Sequence, residues 1–293
     1  MMVRKSEAFM ESIRIIWHIS FQEFCRWMRH SRLIILGVML VFIHIQVIKP
    51  LKECAQLMES RLSFAEPFTA LGNSSILCLM IPLLFLALIA EFPQKDGIDL
   101  FYQIRCSKRI WICGQTLFAV GAGIFLVLFL ALSSGLILWD SGEWRLEFSY
   151  AVTHFTTVYP ERSWDYVTRL LSEKLYQQMT LAEALFHTVS LMFLYFWLLS
   201  MILLLSAICG RKYIGILIDS FLIILGTITT AAGTRLMWLF PMAHSLPIVH
   251  YREYLSEPVF PIGASYLYLA GGGIALFLCC MARAKWYQAG KGN

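Results

Sequence analysis

The sequence predicts an all-α polytopic membrane protein. It should have six transmembrane helices, an N-terminal amphipathic helix lying in the membrane interface, and a short helix on the basic side between the second and third spans. Three observations carry this reading. Of the 293 residues, 58% are hydrophobic and only 15% charged, whereas soluble domains carry about a quarter charged residues. The apolar residues gather in runs of about 20, the length a helix needs to cross a hydrocarbon core about 30 Å thick. Most of the basic residues fall in alternate connections, as the positive-inside bias of membrane proteins requires. No segment alternates in the manner of a barrel strand, so helices satisfy the backbone in lipid.

The expected spans are residues 33–49, 75–92, 110–139, 181–209, 213–239 and 263–282, within a single transmembrane domain covering 1–293. The first contains His44 and Gln46, which suit interhelical hydrogen bonds or the lining of a cavity. The third is long enough to tilt or to extend beyond the bilayer. The spacing of Ala119 with Gly123 and of Gly271 with Ala275 predicts close approach of helix backbones.

Ahead of the first span, residues 11–30 are interrupted by Arg14, Glu23, Arg26 and Arg29 and do not span. Ile13, Trp17, Phe21, Phe24 and Met28 recur at three- and four-residue steps, which predicts an interfacial helix with an aromatic face and an arginine face. It serves either as a surface anchor or as a contact for a partner.

The charges orient the chain. Arg4, Lys5, Arg14, Arg26, Arg29 and Arg32 precede the first span, and Lys95, Arg105, Lys108 and Arg109 follow the second. Arg211 and Lys212 join the fourth to the fifth, and Arg283, Lys285 and Lys291 follow the sixth. All lie on one side of the six-span plan, which the positive-inside rule makes cytoplasmic. Both termini then face the cytoplasm and the protein is multi-pass in the cell membrane. The net charge of +5 reflects this bias and points to no nucleic-acid partner.

Three outer segments are long enough to hold structure. Pro50 favours a helix start before 51–62. In 140–180, Val167, Leu170, Leu171 and Leu175 form one helical stripe. Prolines at 241, 247, 258 and 261 break 241–262 into short re-entrant or interfacial pieces. At the fourth span, Glu183 is placed as a helix-start charge favoured by the dipole.

Signatures of a membrane enzyme are weak. There is no G-x-x-x-x-G-K-[ST], since Gly271 to Gly273 lie in a span with no lysine after them, and no H-E-x-x-H among seven scattered histidines. Ser265 and His187 are conceivable members of an intramembrane serine hydrolase, but neither stretch has a nucleophile turn. Asp219 stands alone in a span, where a carboxylate is costly and often functional. It follows Lys212 by two helical turns, so either a snorkelling Lys212 or Arg211 pairs with it, or it serves a conduit or gate.

The layout resembles the type-2 ABC-transporter permeases, membrane subunits of ATP-driven exporters. The resemblance rests on Glu23, Phe24, Arg26, Arg29, Ser31 and Arg32 before the first span, and on the segment after the second. That segment contains Glu91, Asp96, Gly97, Asp99, Leu100, Arg105, Ser107, Lys108 and Arg109. The chain departs from the family pattern at Pro93 and "FYQIRC", and its 140–180 segment exceeds the minimal family plan.

The resemblance implies a non-catalytic subunit forming the substrate pathway as a homodimer or heterodimer. It would be coupled to separate ATP-binding-cassette ATPases that hold the ATP and Mg, with no cofactor on this chain. Membrane lipids would surround it, and the cargo would be an amphipathic peptide, drug or lipid. Residues 98–106 would form the coupling helix, with Asp96 as cap, Gly97 easing entry, Asp99 in its first turn and Arg105 near its end. Leu100, Phe101 and Tyr102 would either meet the ATPase or lie in the headgroup layer, and Lys108 and Arg109 would anchor the third span. Two other classes stand beside this one: a non-transporting membrane sensor or immunity protein, and an intramembrane hydrolase.

Overall fold

A computed structural model describes residues 2–74, 77–94, 102, 105–251 and 258–284. Among them, five helices are long and apolar enough to cross a membrane. They are α2 (Ser31–Leu57), α5 (Lys108–Ile137), α9 (Leu181–Ile208), α10 (Lys212–Ala231) and α12 (Ile262–Arg283). The amphipathic α1 occupies Met2–Met28. Helices α3 (Glu66–Asn73), α4 (Met80–Ile89), α6 (Tyr150–Val158), α7 (Tyr166–Leu170), α8 (Glu173–Gln178) and α11 (Pro241–His244) are short. A parallel two-residue bridge joins β1 (Leu62–Ser63) to β2 (Gly142–Glu143), pairing Leu62 with Gly142.

The second expected span departs from the six-helix plan. Only the ten residues of α4 are helical within 75–92 among the described residues, a rise of about 15 Å, or half the hydrocarbon thickness. The separate helix α3 precedes it and is buried along its whole length. Asn73 ends α3 and ties it to distant segments. Its amide donates to Thr69 O and Thr188 Oγ1, each at 2.9 Å, while its oxygen accepts the Ile248 N–H at 3.1 Å. Beyond it the Leu77 and Cys78 N–H groups donate back to Ser74 O at 3.1 and 3.2 Å, since irregular backbone beside a membrane must be satisfied within the protein.

The first span is longer than expected and runs through Pro50. A π-turn at His44–Ile48 precedes the proline. Proline lacks an N–H and crowds the carbonyl four residues back, and the wider turn relieves that crowding. The fourth span opens on a capping box in which Thr180 and Glu183 satisfy each other's backbone N–H groups. The fifth ends earlier than expected, at Ala231, where Gly233 takes a φ of +62° and the Thr234 N–H reaches back to Thr229 O at 3.2 Å.

Packing follows from small residues, but not always the expected ones. Gly123 lies against Phe193, joining α5 to α9 as the spacing predicts. In α12, however, Gly271 faces open space and Gly273 meets α9: a Cβ there would sit 2.3 Å from the Trp197 ring. Leu170, Leu171 and Leu175 of the predicted 140–180 stripe are buried, with Val167 half-buried, although two short helices replace one.

Candidate functional site

The basic connections meet at one end of the bundle, around the last turn of α4. Helix α1 lies along α5, with Ile19 against Gly114, where a Cβ would come within 2.7 Å. Trp27 closes the contact. Its indole N–H donates to Leu88 O at 3.0 Å, and its ring meets Phe118 at 5.9 Å and Phe125 at 5.5 Å. Phe24 packs beside it against Phe125 at 5.8 Å. The buried face of α1 is therefore Ile19, Ser20, Glu23 and Trp27. The expected aromatic stripe is split: Ile13, Trp17 and Phe21 are exposed, the last two at 62% and 56%, as an interfacial surface would be, while Phe24 and Met28 turn onto the core.

Three charged clamps hold the chain as it leaves α4. Glu23, only 2% exposed, pairs with Arg26 and accepts the Gln94 backbone N–H at 3.0 Å. Glu91 binds Arg32 Nη2 at 2.7 Å through one oxygen and meets His30 Nε2 at 2.9 Å through the other. Arg32 also donates to Ala87 O at 3.2 Å. From α10, the Lys212 ammonium donates to the carbonyls of Glu91 and Pro93. Carbonyls at a helix end lack intrahelical partners, and cations there also meet the negative pole of the helix dipole.

Further along, the Tyr102 hydroxyl donates to Gln22 Oε1 of α1 at 2.6 Å. Ser107 then caps α5 by accepting the Ile110 N–H at 3.3 Å, which sets Lys108 and Arg109 in the first turn. Arg105 and Arg29 are exposed nearby in the chain. Asp96, Gly97, Asp99, Leu100 and Phe101 lie outside the described residues. The structure thus brings together Glu23, Arg26, Arg32, Glu91 and Tyr102. It adds Gln22, His30, Gln94 and Lys212, whose roles depend on tertiary approach and leave no mark in local spacing.

Asp219 is not paired with Lys212, whose ammonium is drawn instead to the α4 end. The carboxylate is buried and neither of its oxygens has a hydrogen-bond partner among the described residues. It lies within electrostatic reach of Tyr195 of α9, whose buried hydroxyl is also without a partner. His44 is exposed on the outside of α2 and Gln46 half-exposed, and neither makes the expected interhelical hydrogen bond among the described residues.

At the opposite end, Ser265 is fully buried between His244 and His250, while His187 hydrogen-bonds Tyr266 at 3.0 Å. The suggested Ser265–His187 pair is therefore not formed. Among the described residues no group of three or more His, Cys, Asp or Glu side chains is placed to hold a metal. No model of a known protein family matches the chain, and no curated protein or solved structure shows significant similarity to it.

Proposed function

We propose that this chain is the permease subunit of an ATP-driven exporter of the type-2 ABC class, working as a dimer with separate ATPase subunits. In that role it moves an amphipathic substrate outward across the cell membrane. The observation that supports this reading best is the clamped root of the 91–109 segment. Glu91, Pro93 and Gln94 are tied to α1, to the start of α2 and to the start of α10 by charged groups. Charge-assisted bonds are about twice as strong as neutral ones. A force applied to the segment by a cytoplasmic ATPase would then move three helices together, which is what coupling demands of a connector.

His44 supports the dimeric part of the proposal. A polar ring on the outside of a span is costly in lipid and suits a face turned toward a second subunit or a water-lined pathway. The test is purification of the full chain from its native membrane. A P-loop ATPase should co-purify, ATP hydrolysis should depend on that partner, and the chain alone should hydrolyse none. If no nucleotide-binding partner is recovered and ligand binding is indifferent to ATP, the sensor reading replaces this one.

A further inference from the structure

The buried contact of His244, Ser265 and His250 is one proton short. His244 Nε2 lies 2.9 Å from Trp238 O, and a carbonyl only accepts, so that nitrogen carries a hydrogen. His250 Nδ1 lies 3.0 Å from Leu246 O and carries a hydrogen for the same reason. In neutral rings the remaining nitrogens, His244 Nδ1 and His250 Nε2, are both acceptors. Both point at Ser265 Oγ, from 2.8 and 2.7 Å. The hydroxyl has one hydrogen and can satisfy one of them. The other lone pair is then held against an oxygen lone pair in a buried site, where an unmatched polar contact is costly.

One added proton removes the conflict. An imidazolium on either ring donates to Ser265 Oγ, and the hydroxyl donates to the other ring. We infer that His244, Ser265 and His250 form a binding site for a single shared proton, which fastens the 241–250 segment to the first turn of α12. The surroundings suit a cation. The Tyr268 ring stacks on His244 at 4.0 Å, and an aromatic face attracts a positive charge.

Among the described residues, the titratable groups facing the pair are His187 from α9 and Tyr268 from α12, and no carboxylate lies against either ring. Burial pushes both imidazoles below their ordinary value, His250 to about 4. This opposition limits uptake to one proton, because a second would set two cations across a single oxygen. The inference concerns proton binding alone and does not depend on the transport reading.

The experiment is a pH titration of the full chain, labelled with ¹⁵N-histidine, in lipid nanodiscs. His244 Nδ1 and His250 Nε2 should shift together through one midpoint, with a combined uptake of one proton. Ser265→Ala should lower that midpoint by about one pH unit or more, a tenfold loss of proton affinity. His250→Gln places an amide donor where Nε2 stood, so Ser265 can serve His244 without a proton. In that variant His244 should stay neutral throughout, and this readout decides the matter if Ser265→Ala does not fold. Two separate midpoints, no uptake by the wild type, or an unchanged His244 titration in His250→Gln would overturn the inference.

Discussion

Replacing Glu23 by alanine tests the clamp at the root of the 91–109 segment. The carboxylate is buried, accepts the Gln94 N–H at 3.0 Å and pairs with Arg26. A hydrogen bond to a charged group contributes about 1.5–3 kcal/mol. With a tenfold change in equilibrium for every 1.4 kcal/mol or so, its loss should favour local opening by about 10- to 100-fold. Glu23→Gln keeps an acceptor for Gln94 but removes the charge, and should open the site by about tenfold or less. Hydrogen exchange resolved by mass spectrometry reads this directly. Peptides covering 90–94 should exchange faster in the order wild type, Gln, Ala, while peptides from the middle of α9 stay unchanged. Equal exchange in all three proteins would show that Glu23 does not hold the segment.

Three further outcomes follow from the same structure. Gly273→Ala should destabilise by about 1–3 kcal/mol, because the Trp197 ring would have to leave its place on α12, and thermal unfolding in detergent reads the loss. Asp219→Leu should be neutral or stabilising by up to about 3 kcal/mol, since it removes two buried oxygens without partners; a marked loss of stability would show that the carboxylate is structurally engaged. Glu66, held by the N–H groups of Ser63 and Ser149, has its carboxyl raised by burial to about 7. The folded chain then binds the extra proton between pH 4.5 and 7, so stability is full below that window and falls as pH rises through it. Glu66→Gln should abolish that fall in an unfolding series from pH 5 to 8.

Features set by local pattern were legible in the sequence. The long apolar runs are α2, α5, α9, α10 and α12, the prolines after 240 do yield short pieces, and Glu183 does begin α9. What escaped depends on approach between distant segments. Periodicity finds the aromatic stripe of α1, but both an interfacial face and a core face satisfy it. Only the docking on α5 shows that Ile19, Glu23 and Trp27 are the buried set. Lys212 and Asp219 share a helix face, yet the lysine is captured by the carbonyls of Glu91 and Pro93, more than 100 residues away in the chain. The end of α3 at Asn73 was hidden because its partners Thr188 and Ile248 are distant in the chain, and it reads as one polar residue beside an apolar run. Ser265 was noticed, but its partners come from the proline-rich segment rather than from His187, which is committed to Tyr266.

The central claim is that the segment between α4 and α5 transmits the work of an ATPase to the membrane helices. Its most direct test is substrate export by proteoliposomes containing the full chain and its ATPase, with Phe101 and Tyr102 both replaced by alanine. Tyr102 is the residue whose hydroxyl ties the segment to Gln22 of α1. The account predicts that the ATPase still associates and hydrolyses ATP while export falls by about tenfold or more. Unchanged export with unchanged ATPase association would contradict it and leave the segment an ordinary connection.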